Sequence, residues 1–115
     1  MKLTNKETGI TFTLTDNVSS AAQIFSFDAT AVAAVQIDYT IVRGTTVRTG
    51  VYTIVRGTDA SGTNLQGSDA STGVQNSSTG VTFSVTESSS IVLWKYVTTS
   101  TGTAGTLNYS VTRLA

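Results

Sequence analysis

At 115 residues the chain has the length of one domain, and two domains would each be too small to build a core unaided. Seven basic and seven acidic side chains cancel, and charged residues make up 12% of the chain, about half the usual share. Such a neutral surface, rich in Ser and Thr, gathers neither phosphate backbones nor anionic headgroups, so nucleic acid and membrane are poor partners and no cofactor is expected. Low net charge also removes the repulsion that keeps copies apart, which favours close association.

The opening stretch 1–9 is polar, with Lys2, Lys6 and Glu7, and reads as a short N-terminal arm rather than a signal peptide. The chain is therefore expected to be a cytoplasmic product. Beyond the arm, apolar residues alternate with hydroxyl-bearing ones at period two, the mark of half-buried strands. Ile10, Phe12 and Leu14 form the first strand, and 23–29 the second, with Phe25 and Phe27 in register. Val35, Ile37, Tyr39 and Ile41 sustain the pattern over 33–43, and after Gly44 the chain resumes at Val47 and runs to Arg56, which predicts a long hairpin.

The heptapeptide from Tyr39 to Thr45 recurs unchanged from Tyr52 to Thr58, a spacing of 13 that is too short for a solenoid or propeller repeat. It reads as two strands in similar environments, each closing on Arg-Gly, where glycine lets the backbone turn. From 58 to 80 the composition becomes Gly, Ser, Thr, Asp, Asn and Gln with only Leu65 and Val74 as anchors, which predicts a long polar loop. Three strands follow, at 81–85, 91–97 and 107–111. The stretch 91–97 is apolar on both faces apart from Lys95, which suits cover on both sides.

Seven short strands without helical periodicity or proline indicate a single all-β domain over 1–115, an antiparallel β-sandwich, jelly-roll-like or alternatively immunoglobulin-like. Phe12, Phe27, Ile37, Tyr39, Phe83, Leu93 and Tyr109 occupy the bulky alternating positions and are the expected core.

Chemistry is sparse. Without histidine and cysteine, the commonest general base, the thiol nucleophile and most transition-metal ligands are gone, so no enzyme is expected. What remains is a carboxylate pair, Asp28 with Asp38, or a hard-cation site from Asp59, Asn64 and Asp69 in the long loop, whose spacing matches no EF-hand. The plainer reading has each of these two acids facing solvent or paired with an arginine, for instance Asp38 with Arg43, Arg48 or Arg56, and the loop residues in ordinary turns. Arg43, Arg48, Arg56 and Arg113 stand at strand ends, where they read either as solvated side chains or as interface residues making bidentate guanidinium contacts to a neighbouring subunit or partner. Trp94 and Tyr96, flanking Lys95, are either core or interface aromatics, or a stacking platform for a sugar ring.

The blocks Ile37-Asp38-Tyr39-Thr40-Ile41-Val42-Arg43-Gly44, Arg48-Thr49-Gly50, Val81-Thr82-Phe83-Ser84-Val85, Tyr96 through Gly102, and Leu107-Asn108-Tyr109-Ser110-Val111-Thr112-Arg113-Leu114 stand in fixed order over the last two-thirds of the chain. Together they resemble a β domain of tailed-bacteriophage virion structural proteins. The resemblance implies a virion component without enzymatic activity, made in the host cytoplasm. The expected role is decoration or cement of the capsid as a homo-oligomer, a trimer on this reading, seated on the major capsid or another virion protein. The alternative is a tail-fibre domain that recognises a host glycan.

Overall fold

The computed structural model describes residues 6–56, 65–75 and 79–113, and the described residues form strands and turns with no helix. Eight strands succeed one another: β1 (Lys6–Leu14), β2 (Ala22–Asp28), β3 (Ala34–Arg43), β4 (Thr46–Val55), β5 (Gln66–Gln75), β6 (Val81–Ser88), β7 (Ile91–Thr98) and β8 (Gly105–Arg113). They build two antiparallel sheets, one in the order β1-β8-β3-β4-β5 and one in the order β2-β7-β6. The fold is the expected antiparallel sandwich.

Its connectivity is that of a chain folded back on itself. β1 pairs with β8, β2 with β7 and β4 with β5, and β8 also lies beside β3. These are the nested pairings of a jelly roll. The fourth nested pair, β3 with β6, is absent, and the tight hairpins β3–β4 and β6–β7 take its place. The immunoglobulin arrangement, in which the first two strands are neighbours, does not match this order.

Two segment assignments change. The polar stretch 58–80 contains β5, which pairs with β4 from Val55↔Gln66 to Arg48↔Gln75. It is an edge strand of the larger sheet, and it lacks apolar alternation because the residues paired with inward Ile54 and Tyr52 are Gly67 and Asp69. The arm also shortens: β1 begins at Lys6, and Lys6↔Thr112 and Glu7↔Val111 are already in register with β8 before a bulge at 7–10 that holds Gly9 at φ 70°. Residues 1–5 lie outside the described set.

The inward positions are set by bulk. β3 buries Val35, Ile37, Tyr39 and Ile41, β4 buries Tyr52 and Ile54, and β8 buries Leu107, Tyr109 and Val111. On β7 the inward row is Val92, Trp94 and Tyr96, so Leu93 faces out and is half-buried, contrary to its expected place in the core. A strand apolar on both faces carries no periodicity to choose between them, and the largest rings took the inside. Trp94 centres an aromatic cluster, 4.6 Å from Phe83, 5.6 Å from Tyr109 and 5.8 Å from Tyr52 between ring centroids. Phe12 is partly buried and meets Tyr96 edge-on at 5.7 Å.

Candidate functional site: internal arginine pairs and two outer faces

The alternation that buries Tyr39 and Ile41 carries on to Arg43, and the same step from Tyr52 and Ile54 reaches Arg56. Both guanidinium groups therefore enter the sandwich, and both residues are buried. Arg43 donates from Nη2 to Asp16 Oδ1 at 2.5 Å and to the Thr99 carbonyl at 2.6 Å. Its Nη1 donates to the Thr79 carbonyl at 3.0 Å, and its Nε to the Thr103 carbonyl at 2.8 Å. One side chain thus ties the end of β3 to the β1–β2 connection, the β7–β8 connection and the approach to β6. Asp16 accepts in turn from the Thr101 and Gly102 amides, and these bonds, with Arg43, hold its carboxyl below the usual carboxylate range.

Arg56 forms a fork-to-fork pair with Glu87 of β6, Nε to Oε1 at 2.7 Å and Nη2 to Oε2 at 3.0 Å, and so clamps one sheet to the other. Arg48 pairs with Asp69 of β5, donates to the Val81 carbonyl at 3.1 Å, and lies over the Tyr39 ring at 5.5 Å. Asp69 also accepts from the Tyr39 hydroxyl at 2.7 Å, and burial together with that carboxylate pushes the phenol well up from its ordinary value. Arg113 of β8 pairs with Glu7 of β1 at the sheet edge and is the most exposed of the four.

The six residues expected at an interface are thus largely used inside the chain. Arg43 and Arg56 are buried in ion pairs, Trp94 is fully enclosed, and Tyr96 is buried with its hydroxyl accepting from the Thr15 amide. Arg48 and Arg113 keep partial exposure but already hold a carboxylate. The inward parity Tyr39-Ile41-Arg43, repeated as Tyr52-Ile54-Arg56, was the sequence signal that points these arginines into the protein. The expected partner Asp38 pairs with none of them.

Carboxylate-pair chemistry does not assemble either. Asp28 lies on the exposed side of β2, with Oδ1 accepting from the Thr30 amide and hydroxyl, which lowers its pKa. Asp38 lies on the outward side of β3, on the opposite face of the sandwich. Of the proposed cation ligands, Asp59 and Asn64 fall outside the described residues, and Asp69 is engaged by Arg48 and Tyr39. No group of three or more acidic side chains able to hold a metal occurs among the described residues.

What the fold leaves on its surface is two flat faces of different character. The outer face of the five-stranded sheet carries Thr11, Thr13, Thr106, Asn108, Ser110, Gln36, Thr40, Thr49 and Thr53, with Val42, Val47 and Val55 exposed among them. Thr11 donates to Asn108 across the β1–β8 pair at 2.9 Å. Asp38 is the one charged side chain described at the middle of this face, beside a depression of about 400 Å3 that Thr40, Thr49, Asn108 and Ser110 also line. Bulges flank the depression on both sides, at 7–10 in β1 and at 49–51 where β4 meets β5. The outer face of the three-stranded sheet carries Ile91, Leu93, Lys95 and Val97 along its middle strand, bordered by Thr82, Ser84, Thr86 and Ser88 of β6.

No family model, no curated protein and no solved structure matches the chain.

Proposed function

We propose that the chain is a non-catalytic packing domain of a tailed-phage virion, working in the manner of a decoration or cement protein that binds flat against neighbouring virion subunits as an oligomer. The blocks quoted in the sequence analysis support the phage origin. The observation that carries the packing role is the disposition of charge: all four arginines are held by carboxylates of the same chain. Apart from single charges such as Asp28, Asp38 and Lys95, the described outer faces carry hydroxyl, amide and apolar side chains, suited to broad contact and without a charged patch that would steer a substrate. The glycan-binding alternative relied on an exposed aromatic platform, and Trp94 and Tyr96 are interior.

The test is retention on the particle. Tagged protein should co-purify with virions, bind empty capsids saturably, and raise the temperature at which capsids release their contents. Absence from purified virions together with no binding to capsids would overturn the reading, and binding to host-cell glycans instead would restore the tail-fibre alternative.

A further inference from the structure

Two side chains stand out because the other described charged side chains are held by partners. Asp38 is half-buried in the middle of the five-stranded face, and it is the one carboxylate among the described side chains with neither a hydrogen bond nor an ion pair. Lys95 is half-buried in the middle of the three-stranded face, and it is the one cation among the described side chains outside an ion pair. A half-buried charge without a partner has given up part of its hydration for nothing within its own chain.

Their places in the sheets correspond, and their signs are opposite. Lys95 sits on β7, the central strand of its sheet, between Leu93 and Val97. Asp38 sits on β3, the central strand of the other sheet, with Val51 directly across on β4. Each face thus presents one charge, of opposite sign, on its middle strand: Lys95 with Gln23 and Ser84 across from it, Asp38 with Ser110 on its other side and Gln36 and Thr40 along its strand.

We infer that the outer face of the β2-β7-β6 sheet of one copy packs on the outer face of the β1-β8-β3-β4-β5 sheet of a second copy, β7 over β3, with Lys95 paired to Asp38. Three strands about 4.8 Å apart and eight residues long cover roughly 400 Å2 of plane, matching the width of β8-β3-β4. Faces of this kind stack about 10 Å apart with strands roughly aligned. The area places the contact in the small class, so assembly depends on concentration. Because the two faces differ, the contact is head-to-tail, and because they lie on opposite sides of the sandwich, copies add in a row instead of closing as a trimer. This deepens the oligomeric part of the proposed function and rests on that reading there alone.

The experiment is sedimentation velocity on the purified chain over a range of concentrations, with no virion component present. Wild type should sediment faster as concentration rises. D38K and K95E should each stay monomeric where wild type associates, with dissociation constants raised at least tenfold. The double variant D38K/K95E, and an equimolar mixture of the two single variants, should regain association. D38N, which removes the charge without reversing it, should weaken association while leaving circular dichroism and melting unchanged, so that loss of assembly is separated from loss of fold. A wild type that is monomeric throughout, single reversals without effect, or no rescue in the double variant would overturn the contact. So would dependence on Asp28 in place of Asp38, which would indicate two copies of the smaller sheet facing each other. Capsid binding is measured separately, so its failure and the failure of this contact can be told apart.

Discussion

Arg43 has four acceptors and almost no water, which sets it apart from Arg113 although both stand near strand ends. Breaking a buried pair from one side leaves the partner and three carbonyls without their donor, so Arg43→Ala should cost about 3 to 5 kcal/mol in urea unfolding. Arg43→Lys should recover only part of this, because an ammonium cannot reproduce the planar fork. Arg113→Ala should change stability by less than about 1 kcal/mol. Equal losses at the two sites would refute the distinction. Trp94 offers a second contrast, since its Nε1 is buried without a hydrogen-bond partner. Trp94→Phe keeps the ring stacked on Phe83 and discards the unpaired N–H, so it should cost less than about 1.5 kcal/mol. Trp94→Ala opens a cavity and should cost about 3 to 5 kcal/mol.

Among the elements, the β6–β7 hairpin turns on Ser89 and Ser90, both at positive φ, 50° and 68°. These are left-handed positions where Asn and Gly avoid most of the strain a serine carries. Replacing Ser89-Ser90 by Asn-Gly should stabilise the protein by about 1 kcal/mol, read as a melting temperature higher by about 4 °C. On β5, a Cβ added at Gly67 would meet Tyr52 Oη and Val85 Cγ2, each at 2.9 Å. Gly67→Ala should therefore destabilise by about 1 to 3 kcal/mol, which a tolerant polar loop would not do. β5 also shows where sequence reading stops. The strands at 33–43, 47–56 and 107–111 announce themselves by alternation because one face is wet and the other dry. β5 presents Gly67 and Asp69 inward, the first because Tyr52 and Val85 leave no room, the second because Arg48 and Tyr39 need an acceptor. Both requirements belong to neighbours and leave no period in the strand itself. β7 fails differently: it is apolar at every position but one, so the strand is evident and its inward face is not. The buried arginines were legible by parity, and the unpaired state of Asp38 was not, since it depends on which acids the arginines found.

For the whole molecule, charge pairing fixes how stability responds to pH. Asp16 and Asp28 have pKa values lowered in the folded protein, so their contributions are complete above the unfolded carboxylate range and fade as pH falls through the folded values. Tyr39, Tyr52 and Tyr109 are raised by burial, so theirs are complete below the ordinary phenol range near pH 10 and are lost as pH rises through the folded values. The chain has neither histidine nor cysteine, the side chains whose ordinary values fall between these two ranges. The melting temperature should be flat from about pH 5 to 9 and fall on both sides, and Asp16→Asn should blunt the acid limb. A midpoint that moves between pH 6 and 8 would contradict this assignment.

The pairing of β1 with β8 brings Lys6 beside Thr112, so both ends of the described chain leave at one corner of the larger sheet. Tension applied there would open the two strands like a zipper, one rung at a time, with the Glu7–Arg113 pair as the first rung to give. Tension between Leu14 and Arg113, at opposite ends of the same ladder, would load every rung together. Held by residues 6 and 113 in a force spectrometer, the domain should yield at a much lower load than when held by 14 and 113. A particle under internal pressure would be best served by a domain gripped across its faces, with its termini left slack.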